Sequence, residues 1–182
     1  MKAIPTTYRG IDFRSRLEAR WAQFFDAIGV CYEFEPEGYE TSAGRYLPDF
    51  WLPFVRLRGV HLGVFFEVKP ASPTVGEVNK AIALVCGSGR PVIVPALSPC
   101  AGRDESLLEY MPEQTPWGVG CATDDGLTFA RCTNCGQANI NYHASNEDPC
   151  PCGKATFSPH DHILESARQS FQNNVRWEAA AA

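Results

Sequence analysis

No apolar run in this sequence reaches the length needed to cross a bilayer as a helix, so helical membrane spans are not expected. The start, Met1-Lys2-Ala3-Ile4-Pro5 followed by polar residues, lacks the apolar stretch of a secretory signal. The expected location is therefore intracellular, in the cytoplasm, with no membrane partner. No internal repeat is visible, which excludes solenoids and propellers. An excess of basic charge is missing too: 16 Lys and Arg stand against 21 Asp and Glu, a formal net charge of −5. At first sight that argues against a nucleic-acid partner. Residues 1–70, however, hold nine basic against nine acidic side chains, and residues 71–182 hold seven against twelve. The acid excess lies in the second part of the chain, and carboxylates that hold metal ions lose their formal charge. Net charge decides nothing about nucleic acid here.

What is present is a chain of 182 residues, 45% of them hydrophobic, enough for one ordinary domain and a small accessory module. Phe13, Leu17, Trp21, Phe24, Phe25 and Ile28 recur at helical spacing, predicting a helix over 12–28 that Gly29 ends. Strands are expected over Val30–Glu35, Tyr46–Leu52 and His61–Lys69, separated by turns at 38–44 and 56–59. Pro73-Thr74 opens a second helix to about Cys86 with Val75, Val78, Ile82 and Val85 inward, and Pro91–Leu97 is a buried strand reached by a parallel crossover. Residues 1–98 thus form an α/β core. Residues 99–116, rich in proline, read as a linker. A cysteine-bearing module follows over 117–160, and residues 161–182 carry an amphipathic helix that packs back on the core.

The chemistry concentrates in Pro48-Asp49 and in Phe65-Phe66-Glu67-Val68-Lys69. Side chains alternate along a strand, so Glu67 and Lys69 share one face while Val64, Phe66 and Val68 bury on the other. A neighbouring strand carrying Asp49 completes a group of two carboxylates and an ammonium. Such a group suits phosphodiester hydrolysis: hard oxygen ligands bind Mg²⁺, and a lysine beside them offsets charge developing on the phosphorus centre. For a lone Glu-x-Lys, a surface ion pair is the plainer reading. Here the charges interrupt the most hydrophobic strands of the chain, where burial is costly without compensation.

Pro48-Asp49 followed by Glu67-Val68-Lys69 resembles the PD-(D/E)XK superfamily, and Arg14-Ser15-Arg16-Leu17-Glu18-Ala19-Arg20-Trp21 resembles the first-helix motif of its restriction-like and transposase-associated members. The resemblance covers roughly residues 8–97 and implies a restriction-endonuclease-like core of helix, three strands, helix and strand. It implies that Asp49 and Glu67 ligate Mg²⁺ or Mn²⁺, that the Val68 carbonyl is a third ligand, that Lys69 is the catalytic lysine and that Glu18 assists from the helix. The implied activity is that of a deoxyribonuclease, an endonuclease in DNA processing or restriction. Its implied partners are DNA and a second copy or a larger DNA-processing complex. The alternative is a non-catalytic nucleic-acid-binding or assembly protein on the same fold. For Glu18 there is also a plainer role, since Ser15-x-x-Glu18 fits a capping box. Asp12, nearer the start of the apolar face, competes with Ser15 as the N-cap. Arg9, Arg14, Arg16 and Arg20 are candidates for phosphate contacts, while Lys80 and His61 are read as surface and strand-edge residues.

Of eight cysteines, Cys31, Cys86, Cys100 and Cys121 are scattered, whereas Cys132, Cys135, Cys150 and Cys152 fall within 21 residues. Cys132-Thr-Asn-Cys135-Gly136 has the spacing of a zinc knuckle. Cys150-Pro-Cys152-Gly153 is one residue shorter, so His143, His160 or His162 stand as alternative fourth ligands. One compact module favours structural Zn²⁺ in a zinc ribbon over an iron–sulfur cluster, and the module is expected to fold only with its ion.

Overall fold

The computed structural model describes residues 3–57, 61–71, 73–95, 107–110, 121–122, 127–132, 134–142, 150, 152–153 and 157–159. The helix expected over 161–182, the histidines at 143, 160 and 162, and most of the 99–116 linker lie outside them.

In chain order the elements are β1 (Thr6–Tyr8), β2 (Ile11–Phe13), α1 (Arg16–Ala27), β3 (Glu33–Phe34), β4 (Tyr39–Thr41), β5 (Gly44–Tyr46), β6 (Phe50–Leu57), β7 (His61–Phe66), α2 (Val75–Ser88), β8 (Val92–Pro95), β9 (Leu107–Tyr110), β10 (Cys121–Ala122), β11 (Leu127–Cys132), β12 (Ala138–Tyr142) and β13 (Phe157–Pro159). A mixed sheet runs in the order β10-β9-β8-β7-β6-β12-β11-β13, with β3 also on β6. β7 and β8 are parallel, as the α2 crossover requires, and β6 and β7 are antiparallel.

Ser15, not Asp12, caps α1: its hydroxyl accepts from the Glu18 N–H at 3.1 Å, and Glu18 Oε2 accepts from the Ser15 N–H at 3.2 Å. The periodic apolar face begins earlier because Phe13 belongs to β2, whose buried ring joins the same core. Helix α1 covers one face of the sheet, where Trp21, Phe24 and Phe25 meet Phe50, Val64, Phe66, Val68 and Ile93. On the other face α2 places Ala81, Leu84 and Val85 against Phe65, Val92 and Val94. Thr74 and Glu77 cap α2 reciprocally, and Gly89 ends it in the left-handed conformation. Val75, expected inward, is 78% exposed at the first helical position, where no neighbouring described element reaches it. No described helix is long and apolar enough to cross a membrane.

Several boundaries differ from expectation. The strand read as Tyr46–Leu52 begins at Phe50 and runs on to Leu57, because Tyr46 closes the separate β4–β5 hairpin. Within the segment read as a linker, Leu107–Tyr110 forms β9 and pairs antiparallel with β8. The cysteine-bearing strands do not stand apart. β12 joins β6 in parallel at Asn139↔Arg56 and Ile140↔Leu57, and Ile140 and Phe129 are buried in the α1 core.

Candidate functional site

The β6–β7 register sets the site. Phe50 pairs with Phe66, so Asp49 and Glu67, one step beyond each strand, face one another at the same end of the sheet. Both are buried, 4% and 5% exposed. The Asp49 N–H donates to Glu67 Oε2 at 3.2 Å, and the Val68 N–H donates to Asp49 Oδ2 at 2.8 Å. Glu67 and Lys69 extend the β7–β8 pairing through N–H bonds to the Ile93 and Pro95 carbonyls. Two residues apart on one face, they meet at 2.7 Å between Lys69 Nζ and Glu67 Oε1. Glu77, in the first turn of α2, holds the same ammonium at 3.4 Å.

Glu18 is buried as well, 8% exposed, and its charge acts on Asp49 while its carboxylate caps α1. Burial pushes the Asp49 carboxyl up to about 8; Glu67 and Glu18 add to the rise, and the Val68 N–H and Arg14 oppose it. For Lys69, burial pulls the ammonium down, but Glu67, Asp49 and Glu77 outweigh it and the net shift is upward. Burial also pushes the Tyr46 hydroxyl far up, helped by Glu67, to which it is hydrogen-bonded. The group thus gathers Asp49, Glu67 and Glu18 in a buried corner with Lys69 and Arg14 as counter-charges. Oxygen donors of this kind could hold a hard divalent ion, though each carboxylate oxygen of Asp49 and Glu67 already accepts from a protein donor.

Arg14 precedes the helix rather than pairing along it. Its Nη2 donates to Asp49 Oδ1 at 2.5 Å, and its Nε lies 2.6 Å from Glu35 Oε1. The second contact is a close ion pair, since no directed hydrogen bond reaches that buried Glu35 oxygen. Glu35 sits directly opposite Asp49, whose carbonyl accepts its N–H at 2.9 Å. Its φ is +46°, a left-handed conformation costing a non-glycine residue on the order of 1 kcal/mol.

The four proposed chemical residues Glu18, Asp49, Glu67 and Lys69 therefore come together, and of the four arginines Arg14 joins them. Arg9 is paired instead with Asp26 at 3.1 Å. Asp26 lies eight residues along α1 from Glu18, about 12 Å away along the axis. Arg16 and Arg20 lie on the exposed and half-exposed sides of α1, and Lys80 is exposed on α2. At Val68 the group engaged is the N–H. Sequence reasoning misses Tyr46, Glu35 and Glu77. Thr74-x-x-Glu77 is a legible capping box that would have placed Glu77 at the α2 start, whereas Glu35 and Tyr46 carry no local signal.

The second cluster is made of sulfur. The sulfurs of Cys132, Cys135, Cys150 and Cys152 all lie within 4.8 Å of one another. Cys132 and Cys152 are 3.6 Å apart, and Cys135 and Cys150 3.5 Å. A disulfide needs about 2.05 Å, whereas a tetrahedron with Zn–S of about 2.3 Å has edges of about 3.8 Å. The quartet suits a metal ion such as zinc. Backbone N–H groups of Cys135 and Asn134 hold the Cys132 thiol down, whereas burial pushes the Cys150 thiol up to about 12. The shorter second knuckle closes by a tighter turn. The Gly136 N–H reaches back four residues to the Cys132 carbonyl, and the Gly153 N–H only three to Cys150, both at 2.9 Å. Gly136 and Gly153 have φ of +74° and +70°, which the two bends require. Arg131 ties this knuckle to the helix: it donates to the Ile28 and Gly29 carbonyls at 2.7 and 3.2 Å and to the Gly136 carbonyl at 2.8 Å.

Comparison with family models, curated proteins and solved structures finds no match to this chain.

Proposed function

We propose that the chain is a metal-dependent nuclease of the PD-(D/E)XK kind, hydrolysing DNA phosphodiester bonds as an endonuclease in DNA processing or restriction, with a structural zinc at the cysteine quartet. The observation that carries this reading is the buried Asp49–Glu67 pair with Lys69 on Glu67 at 2.7 Å, at the end of antiparallel strands where the motif resemblance puts them. Asp49 and Glu67 would hold Mg²⁺ or Mn²⁺, with Glu18 adding charge behind Asp49. Bound there, the ion supplies Lewis acidity to a phosphate and a lowered pKa to a water.

The protein's own groups then have separate tasks. Lys69, held protonated by three carboxylates, is a fixed positive charge beside the reacting phosphate rather than a base. The Asp49 N–H keeps Glu67 in place, and the Val68 N–H does the same for Asp49. The Tyr46 hydroxyl, hydrogen-bonded to Glu67, would help hold that carboxylate in place.

One observation favours the second reading, a non-catalytic nucleic-acid-binding or assembly protein. Each carboxylate oxygen of Asp49 and Glu67 already has an internal partner, which also suits a structural ion network. Incubation of purified protein with plasmid and Mg²⁺ separates the two. The nuclease cuts, and Glu67→Ala and Lys69→Ala abolish cutting while remaining folded. Retained cutting in both variants would remove the assignment, and absence of cutting by the parent protein would favour the second reading.

A further inference from the structure

Glu35 is the most strained side-chain-bearing position near the candidate site. It adopts φ +46° immediately before Pro36, a context that favours an extended backbone. Glycine would meet the conformation at no steric cost, and asparagine at little. A charged residue there calls for a reason. With its N–H still on the Asp49 carbonyl, the strained residue sets its carboxylate against the guanidinium of Arg14, at 2.6 Å. Arg14 is half exposed, whereas the Asp49 side chain at its other end is almost fully buried. One guanidinium thus bridges a buried carboxylate inside and a strained carboxylate at the rim.

We propose that Glu35 is a positioning residue that holds Arg14 at the mouth of the site as a clamp for a DNA phosphate. The inference rests on the nuclease reading above and extends it to substrate binding. A divalent cation held by Asp49 would compete with Arg14 for that carboxylate. A guanidinium with Asp49 as its sole partner would then swing into solvent. With Glu35 behind it, Arg14 stays at the rim and turns its freed N–H groups to a phosphate, which planar guanidinium donors match in pairs. Glu35 does not touch the substrate; it acts through Arg14.

The test uses Glu35→Asn and Glu35→Gly, both compatible with the left-handed backbone, alongside Arg14→Gln and the Arg14→Gln/Glu35→Asn double variant of the full chain. Thermal unfolding without added metal should leave both Glu35 variants as stable as the parent or more so, since strain is relieved. Steady-state cleavage of duplex DNA in Mg²⁺ should show KM raised about tenfold in Glu35→Asn with kcat within about threefold. The double variant should bind DNA no worse than Arg14→Gln alone, because the effect passes through Arg14. An unchanged KM in Glu35→Asn, or additive losses in the double variant, overturns the clamp while leaving the nuclease reading intact. A parent protein that neither cleaves nor binds the duplex overturns the nuclease reading, and the clamp with it.

Discussion

Replacing Asp49 by Asn should make the protein more stable in alkaline solution while destroying its activity. The carboxyl of Asp49 is pushed up to about 8 by burial and by Glu67 and Glu18, whereas in the unfolded chain it titrates at about 3.9. A raised carboxylate contributes stability that is complete below the unfolded pKa and is lost as pH rises through the folded one. Between the two values the native carboxyl keeps a proton that the unfolded chain has already lost, so stability falls by up to about 1.36 kcal/mol per pH unit and levels off above about pH 8, once the native state has lost it too. From pH 6 to pH 8 the loss is on the order of 2 kcal/mol. For a chain of this size that is a drop in Tm of roughly 5 °C. The amide of the Asp49→Asn variant cannot ionise, so the variant's Tm should not share the drop. The substitution removes the Arg14 ion pair and one acceptor at the Val68 N–H or at Arg14, but Arg14 is half exposed and can turn to water. Other groups that titrate in this range do so in both proteins and cancel in the difference. Calorimetry of the two proteins at pH 6, 7 and 8 makes the comparison. Mg²⁺, which favours the charged carboxylate, should restore the parent's Tm increasingly as pH rises and leave Asp49→Asn unmoved. Parallel pH profiles for the two proteins would refute the reasoning.

Glu18→Gln should keep the capping box and shift stability by less than about 0.5 kcal/mol, yet cut DNA cleavage by an order of magnitude or more; normal cleavage would reduce Glu18 to a cap. Gly63→Ala should destabilise by roughly 2–4 kcal/mol in denaturant unfolding, because φ is +86° and the new Cβ would fall 2.3 Å from the Trp51 ring, itself packed on Phe65 and under Arg90. Elemental analysis should find one zinc per chain, and Cys152→Ser should lose most of it, since the quartet of sulfurs closes on itself; full zinc retention would move a ligand to another residue.

The core is legible where periodicity and chemistry coincide. Trp21, Phe24 and Phe25 announce α1, the β7 alternation separates Glu67 and Lys69 from Phe66 and Val68, and Thr74 with Gly89 brackets α2. The site is legible to the extent that its members lie on those elements. Arg14 is visible as a basic residue but not as the partner of Asp49, 35 positions away, because pairings across that distance follow from topology. Glu35 is not visible at all: its role depends on a backbone angle that composition does not predict. The hairpins β1–β2 and β4–β5 escape a reading of the sequence because their strands are three residues long, too short for an alternation to show.

The cysteine-bearing segment shows how a local reading of spacing leaves organisation open. Its few apolar residues suggest a module that its ion alone would fold. Those residues instead leave the segment: Phe129 packs against Phe24, Phe25 and Phe66, and Ile140 is buried beside β6. A strand that begins just after Asp49 ends in pairing with β12, and the knuckle between β11 and β12 is fastened by Arg131 to the Ile28 and Gly29 carbonyls just past α1, a cation placed where the helix dipole is negative. The helix that carries Glu18 at its other end is thus braced by the same arginine that braces the first pair of thiols. An ion held by the quartet would brace strands that pair with the core sheet, so its removal should act on the whole fold rather than on a tail. Unfolding followed by tryptophan fluorescence, to which buried Trp21 contributes among four tryptophans, should therefore move with zinc occupancy in a single transition.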